Sequence, residues 1–310
     1  MKNTKHIEQN FPWQVSRRRM LGALGSLGSL GSLTVLPLAA IAQPASVLPL
    51  NTPGLDHLDI IVPDVAASAS FYMQLFNTTL HVQPLGEGVR YFILLGELDE
   101  SREVGYVAIG ESRGRGTYIG HFCTTVVDWR RDSSAIFSAM GEEIEAHGFG
   151  TFPGSTGFGG IFSDPDGIEI QFLPAPDTLV TAALPSDLVP SRQGLVTPYG
   201  VDHVHLYVSD MERAIKYYSI LYGTDTHQLV NGLAIFDFPA SDTRLILEQV
   251  EYVYGENPAI AHFGIKVAPY DSQVLANRLT ELGAQVLATD EVGVFRFKDL
   301  DGITVELVET

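Results

Sequence analysis

The chain has 310 residues, of which 45% are hydrophobic, and a formal net charge of −18 at pH 7. This strongly negative charge excludes nucleic acid and anionic membrane surfaces as expected partners. Cys123 is the single cysteine, so an intramolecular disulfide is excluded as well. The length allows two hydrophobic cores of ordinary size.

The first predicted segment is an export signal at residues 1–42. Arg17 and Arg18 stand in the pattern S-R-R-x-x-L, followed by a weakly apolar, glycine-rich run that ends in Ala40-Ile41-Ala42. This pattern is typical of a twin-arginine signal peptide that is cleaved after Ala42. The alternative is an uncleaved anchor, because the run approaches the length of a membrane span, but its glycines and serines argue against stable insertion. We therefore expect a periplasmic or secreted protein that uses the twin-arginine export machinery.

Four segments then follow in chain order, and each begins with a histidine on a predicted strand: His57, His121, His203 and His262. Apolar residues alternate after each histidine, and each strand leads into a helical pattern and then into shorter strands. The stretches "DPDGIEIQFLP" and "DLDGITVELVET" close the second and fourth segments, with an Asp-Gly turn into a last strand. This pattern predicts a fourfold repeat of one structural unit.

The third segment, "GVDHVHLYVSDMERAIKYYSILYG", shows the unit most clearly. Because side chains alternate along a strand, His203, His205 and Tyr207 are predicted to share one face. Asp210 is the expected N-cap of the following helix, and Gly223 is its expected C-terminal glycine.

A proline-rich stretch separates the second segment from the third. Residues 174–199 contain five prolines and no regular periodicity, which is typical of a linker. The chain is therefore predicted to have an N-terminal domain at 55–173 and a C-terminal domain at 200–310.

The repeat resembles the vicinal oxygen chelate superfamily, which includes glyoxalase I, bleomycin-resistance proteins, epimerases and extradiol dioxygenases. The resemblance rests on the strand histidines and the Asp-Gly turns, and it covers about residues 55–173 and 200–310. It implies the α+β fold class, with four βαβββ units paired into two domains. It also implies a cleft whose floor binds a divalent metal ion through the first and last strands of the units. The resemblance specifies the reaction only weakly, because one fold hosts many functions.

The resemblance places the metal in the C-terminal domain. His203 and His262 occupy first-strand positions, Glu306 occupies the last-strand position, and Glu248 is a candidate fourth ligand. Imidazole and carboxylate ligands suit a first-row divalent ion, so we expect one ion per chain without distinguishing Fe, Mn, Zn, Ni and Co. The alternative is that Glu248 and Glu306 are surface carboxylates on edge strands.

The N-terminal domain departs from this pattern. Its equivalent positions are His57, His121 and Gln171, and no carboxylate corresponds to Glu248. Because a neutral amide is a weaker ligand for a hard cation, we expect this domain to be metal-free and to contribute cleft walls and stability. Metal binding through Gln171 stays open, since some relatives use glutamine at this position.

The resemblance implies an enzyme that binds two adjacent oxygens of a small substrate. The ion would stabilise an enediolate or an alkoxide, with Glu248 as the catalytic base. His205 is a second catalytic candidate, as an acid or base or as a hydrogen-bonding partner. These assignments favour an isomerase or lyase similar to glyoxalase or to the epimerases.

Two other functions are compatible with the same residues. An extradiol ring-cleavage dioxygenase that uses Fe(II) would place its metal in the C-terminal domain, as expected here. However, Arg296 stands where that class usually carries a tyrosine, and the stretch "LAIFDFPASDTRLILE" has no histidine. The third hypothesis is a non-catalytic small-molecule binding or resistance protein, which metal dependence and turnover would distinguish.

The alternation of side chains along the strands also predicts positive charges in the cleft. Arg244 shares a strand face with Glu248, and Lys266 shares one with His262. Arg296 and Lys298 face the cleft if Phe295 and Phe297 pack inward. This clustering predicts an anionic substrate that is bound by Arg244 and Arg296, with Tyr207 as a further contact. The alternative is that these cations pair with Glu248, Glu306 or other acids.

Overall fold

The structure of the protein is a computed structural model. It describes residues 46–85, 88–96, 105–127, 133–150, 160–174, 194–223, 227–253 and 258–310. The predicted export signal at 1–42 lies outside these residues, as does most of the predicted linker, 175–193. Within the described ranges, no helix is both long and apolar enough to cross a bilayer.

The first half of the chain forms a sheet that contains seven strands in its described part. Its order is β2-β3-β4-β1-β5-β7-β6. The elements are β1 (Gly54–Val62), α1 (Val65–Leu75), β2 (Leu80–Leu85), β3 (Gly88–Leu94), β4 (Tyr106–Glu111), β5 (Tyr118–Val126), α2 (Ser133–Ala146), β6 (Gly160–Ser163) and β7 (Glu169–Pro174).

The second half forms a sheet with eight strands among its described residues, in the order β13-β14-β15-β12-β8-β11-β10-β9. Its elements are β8 (Pro198–Val208), α3 (Met211–Tyr222), β9 (His227–Val230), β10 (Leu233–Phe238), β11 (Thr243–Gln249), β12 (Ile260–Val267), α4 (Ser272–Glu281), β13 (Gln285–Leu287), β14 (Val294–Lys298) and β15 (Thr304–Glu309). The two multi-stranded sheets and few helices confirm the predicted α+β fold with paired βαβββ units.

The strand pairing repeats within each unit. The first strand of a unit pairs in parallel with its last strand: β1 with β4, β5 with β7, β8 with β11 and β12 with β15. Two units then join through their first strands, which run antiparallel as β1 with β5 and as β8 with β12. The histidine strands therefore lie at the centre of each sheet, beside the strands that end the units.

The predicted boundaries of the third unit's helix are confirmed. Asp210 caps α3 by accepting a hydrogen bond from the backbone N–H of Arg213, and Gly223 follows the helix with a φ of 97°. The helix packs Tyr217, Tyr218 and Leu221 into the core. This core is continuous with that of the first half, because one buried hydrophobic cluster includes residues of both sheets.

Each half also contributes a helix tyrosine to a turn of the other half. The Tyr72 hydroxyl on α1 donates to Asp299 Oδ2 at 2.7 Å, and the Tyr218 hydroxyl on α3 donates to Asp164 Oδ2 at 3.0 Å. Both aspartates begin the Asp-Gly turns that close the second and fourth units. Their Oδ1 atoms accept backbone N–H groups of the turn itself. The two contacts are equivalent, so the halves are joined at two matching points.

Candidate metal centre

Neighbouring strands place polar side chains on one face of the second sheet. On β8 and β11, His203 stands opposite Arg244, and Tyr207 stands opposite Glu248. On β12, His262 stands opposite His205, and Gly264 stands opposite both His203 and Glu306. On β14, Arg296 stands opposite Glu306. Because residues in register on adjacent strands point to the same face, these side chains line one cleft.

Three of the four predicted ligands come together there. The ligand atoms of His203, His262 and Glu306 lie within 4.8 Å of one another. Glu306 Oε2 is 3.3 Å from His203 Nε2, and Glu306 Oε1 is 3.5 Å from His262 Nε2. The 3.3 Å contact lacks hydrogen-bond geometry, so the buried Nε2 of His203 has no hydrogen-bond partner in the described part of the chain. A buried nitrogen without a hydrogen-bond partner is suited to bind a metal. Together, the two imidazoles and the carboxylate form a ligand set that suits a first-row divalent ion.

Asp202 and Arg244 hold the His203 ring. Asp202 Oδ1 lies 2.7 Å from His203 Nδ1, and Arg244 Nη2 donates to the same oxygen at 2.5 Å. Burial alone would raise the pKa of Asp202, but its contacts with His203 and Arg244 hold the pKa below its usual value. The ionised carboxylate accepts a hydrogen bond from Nδ1–H, and in the neutral ring the lone pair of His203 is then on Nε2, where a metal can bind.

Gly264 provides the space that this ring occupies. A Cβ atom at this position would lie 2.3 Å from Cε1 and 2.4 Å from Nδ1 of His203. Both distances are far below van der Waals contact, so a residue with a side chain would displace the imidazole. Asp202 and Gly264 were not predicted from the sequence. The available signal was the Asp-His pair that also occurs at Asp56-His57.

The charges of the site favour metal ligation. Burial alone would raise the pKa of Glu306, but the adjacent imidazoles of His203 and His262 and the charge of Arg296 lower it to about 2. Burial and the neighbouring His203 lower the pKa of His262 to about 3. Near neutral pH, Glu306 is therefore an anion and His262 a neutral imidazole, which are the ligand forms of both groups.

Glu248 stands outside the three-residue group. Its Oε2 lies 3.0 Å from His205 Nε2, although the contact lacks hydrogen-bond geometry. The His205 ring is buried against His262, with ring centroids 4.6 Å apart, whereas the Glu248 side chain is 43% exposed. The structure thus pairs the two predicted catalytic residues at the rim of the metal group, and the role of Glu248 as a fourth ligand stays a prediction.

Both arginines predicted to bind substrate form ion pairs with acids of the site. Arg244 contacts Asp202, and Arg296 contacts Glu306. Lys266 reaches the turn between β10 and β11, where its Nζ donates to Ser241 O at 3.0 Å and lies 3.3 Å from Asp242. These contacts correspond to the alternative in which the cations pair with acids, and they leave substrate binding by Arg244, Arg296 and Tyr207 as a prediction.

In the equivalent cleft of the first half, the side-chain amide of Gln171 contacts both histidines. Gln171 Oε1 lies 2.9 Å from His57 Nε2 and 3.0 Å from His121 Nε2. Because an amide oxygen only accepts hydrogen bonds, both rings present N–H groups to it, which occupy the nitrogen positions that would otherwise bind a metal. The metal-free state of this half stays a prediction, since Asp56, His57 and Cys123 also bring ligand atoms within 4.8 Å.

The residues around the histidines also differ between the two clefts. Tyr106 occupies the register position of Arg244 and stacks on His57, with ring centroids 4.1 Å apart. Cys123 occupies the position of Gly264. Asp56 lies 2.7 Å from His57 Nδ1, and burial raises its pKa to about 7. The pKa of Asp202, by contrast, is held below its usual value by the contacts with His203 and Arg244.

The fold and the site together define a two-domain protein of paired βαβββ units, with a cleft that can hold a divalent metal. Residues 54–172 match the family model of the Glyoxalase/Bleomycin resistance protein/Dioxygenase superfamily. None of the curated proteins matches the sequence.

Solved structures share the two-domain fold at low sequence identity. The 2,3-dioxygenase LapB from Pseudomonas sp. KL28 aligns with a TM-score of 0.60 and 14% identity, over 84% of this chain and 93% of its own. The Mn(II)-bound glyoxalase from Novosphingobium aromaticivorans aligns with a TM-score of 0.57 and 14% identity, over 84% and 83%. Homoprotocatechuate 2,3-dioxygenase from Arthrobacter globiformis aligns with a TM-score of 0.56 and 16% identity, over 86% and 82%.

Proposed function

We propose that the protein is a divalent-metal-dependent isomerase or lyase, similar to glyoxalase or to the epimerases, that acts on a small molecule with two adjacent oxygens. The observation that carries the proposal is the unpartnered Nε2 of His203 beside His262 and Glu306. His203, His262 and Glu306 would hold the ion. When bound, the ion supplies Lewis-acid stabilisation of negative charge on the substrate oxygens.

The Glu248–His205 pair is the proposed proton-transfer group. Glu248 is partly exposed, so its carboxylate can meet a substrate that enters the cleft, and it lies 3.0 Å from His205 Nε2. Burial and the neighbouring His203 lower the pKa of His205 to about 4, so the imidazole is neutral near pH 7. A neutral imidazole can accept or donate a hydrogen bond and thereby orient the Glu248 carboxylate.

An extradiol dioxygenase is the second candidate function. The group of two histidines and one carboxylate is typical of non-haem Fe(II) oxygenases, and Glu248 lies outside this group. In this case a catechol and O₂ would be the substrates, and Glu248 and His205 would accept the protons of the catechol hydroxyls.

Metal analysis tests the proposed centre. We expect His203→Ala or Glu306→Ala to remove most of the metal from the purified protein, because each variant deletes one of three donors. His57→Ala is the matched control from the first half and should leave the metal content unchanged. A wild-type stoichiometry near two ions per chain would contradict the assignment of the metal to the second half.

Proton transfer is tested at Glu248. Glu248→Gln should lower turnover by about 10²-fold or more, the usual contribution of a general base, while metal content is retained. Deuterium exchange of 2-hydroxycarbonyl compounds in D₂O measures the abstraction of a C–H proton, and Glu251→Gln is the control at an exposed glutamate nearby. Consumption of O₂ with catechols, followed with an oxygen electrode, would support the dioxygenase instead.

Export is a further part of the proposal. The twin-arginine pattern predicts a periplasmic or secreted mature protein that begins at Gln43. Cell fractionation and N-terminal sequencing test this expectation. Replacing both Arg17 and Arg18 with lysine should retain the precursor in the cytoplasm, and normal export of that variant would contradict the assignment.

A further inference from the structure

A cavity of about 320 Å³ lies between the two halves of the chain. Tyr207, Lys298 and Thr304 line it from the second sheet, and Thr117 and Tyr118 line it from the first. Both halves of the chain therefore form its walls.

Strand register places this cavity one row beyond the metal centre. Tyr207 lies two residues after His205 on β8, and Lys298 lies two residues after Arg296 on β14. Thr304 is paired with Lys298 and lies two residues before Glu306 on β15. Because a strand rises about 3.3 Å per residue, the row of Lys298 and Thr304 is about 7 Å from the row of His203, Arg296 and Glu306. Tyr207 lies four residues after His203 and is therefore further along the same face. Both rows are on the same face, so the cavity continues the metal cleft.

Lys298 and three hydroxyl groups of this cavity have no polar partner in the part of the chain that the structure describes. Lys298 is exposed and makes no ion pair with any residue that the structure describes, unlike Arg244 and Arg296. Asp301 also lines the cavity, but its carboxylate accepts a hydrogen bond from Ser68 and forms no ion pair with Lys298. The hydroxyls of Tyr118, Tyr207 and Thr304 have no hydrogen-bond partner in the described ranges. One ammonium among several hydroxyls is suited to the oxygens of an anion.

We propose that Lys298, with the Tyr207 and Tyr118 hydroxyls, is a subsite for a carboxylate of the substrate, on the same face of the sheet as the candidate metal centre. This inference rests on the proposed function, because it assigns the substrate class of the same cleft. It differs from the prediction that Arg244 and Arg296 bind the anionic substrate. Unlike those arginines, Lys298 does not form an ion pair with an acid of the site. Lys298 is thus the residue that selects anionic over neutral substrates.

Calorimetric binding of two probes tests the subsite under anaerobic conditions in the metal-loaded protein. The probes are 3,4-dihydroxyphenylacetate and its methyl ester, which carry adjacent oxygens on one side of a ring and either a carboxylate or a neutral ester on the other. We expect the acid to bind at least about five-fold more tightly than the ester, the effect of one charge-assisted contact. Lys298→Met should reduce this ratio to about one without weakening the ester, and Lys298→Arg should retain it.

Two further variants separate the subsite from the metal centre. Lys266→Met is the matched control, because Lys266 is a lysine on the same sheet that contacts Asp242, and it should keep the wild-type ratio. His203→Ala should weaken both probes equally and keep the ratio. If His203→Ala binds both probes as well as the wild type does, the metal-centred function is wrong while the subsite stands. A ratio near one in the wild type, an unchanged ratio in Lys298→Met, or no millimolar binding of either probe overturns the subsite.

Discussion

Glu306 and Gln171 occupy equivalent positions in the two halves. Their side chains make different contacts with the histidines of each cleft. The amide oxygen of Gln171 lies within hydrogen-bonding distance of both histidine rings beside it, so the first cleft is satisfied by hydrogen bonds. Glu306 instead places a carboxylate beside His203 and His262, and His203 Nε2 is left without a hydrogen-bond partner among the described residues. The same backbone therefore supports a closed network in one half and a candidate metal centre in the other.

At the residue scale, Gly264→Ala should lower metal affinity by about ten-fold or more. The added Cβ overlaps the His203 ring and must displace it from Asp202, and loss of such an orienting contact typically weakens metal binding by 10- to 100-fold. Metal titration of the purified variant measures the effect, with Cys123→Ala as the control at the equivalent position. Wild-type affinity in Gly264→Ala would show that the ring does not need its observed position.

Arg244→Met distinguishes two roles of one residue. If Arg244 supports Asp202 and hence His203, the variant should lose metal affinity by roughly ten-fold. If it binds substrate, as strand parity predicts, kcat/KM should fall for an anionic substrate while metal affinity stays unchanged. Arg278→Met on the exposed side of α4, where Arg278 pairs with Glu281, is the control and should change neither quantity.

At the scale of elements, parallel pairing of the first and last strands builds the site. Val305 of β15 stands opposite Phe263 of β12, and Glu306 stands opposite Gly264, so the carboxylate of the last strand faces the histidine strands at the sheet centre. The helices then connect the two sheets, because α1 and α3 each donate a tyrosine hydroxyl to a turn of the opposite half.

Removal of either tyrosine hydroxyl should destabilise the protein. Tyr72→Phe and Tyr218→Phe each leave a buried aspartate oxygen without its donor, and we expect a loss of about 1–3 kcal/mol in the free energy of unfolding. Urea denaturation measures this loss. Tyr270→Phe is the control, because its partly buried ring contacts Phe295 and its hydroxyl has no hydrogen-bond partner among the described residues. An equal effect of all three substitutions would rule out a specific contribution of the two contacts.

At the scale of the whole molecule, the buried aspartates of these turns make stability depend on pH. Burial raises the pKa of Asp299 from 3.8 to about 6, even though hydrogen bonds from Tyr72 and the backbone lower it. Between these values the folded protein binds a proton that the unfolded chain has released. The contribution of Asp299 to stability should therefore fall as the pH rises from about 4 to about 6, by up to about 3 kcal/mol, and change little above that range.

Asp299→Asn isolates this contribution, since the buried His121, whose pKa is lowered to about 4, acts in the opposite direction. The variant should lack the decrease that Asp299 causes, as measured by urea unfolding at pH 4.5 and pH 7. Asp290→Asn at an exposed position is the control and should follow the wild type. A pH dependence in Asp299→Asn that equals that of the wild type would contradict the assignment.

Local sequence patterns determined which side chains share a strand face and how many repeated units the fold contains. Two-residue alternation placed His203, His205 and Tyr207 on one strand face, and the repeated histidines and Asp-Gly turns predicted the four units; the strand register and the sheet order confirm both. Such features are predictable because side-chain direction along a strand depends only on position within that strand. The choice of glutamate or glutamine at the last strand was likewise visible as a single letter.

Only the tertiary structure decided which groups meet. Asp202 holds His203 together with an arginine 42 residues further along the chain, Glu248 turns to His205, and Arg296 binds Glu306. Tyr118 of the first half reaches the cavity that contains Lys298. These partners lie on different strands or in different halves of the chain. Which of several nearby charges pair depends on distances and burial that arise only when the sheets pack, and alternation along a single strand carries no information about them.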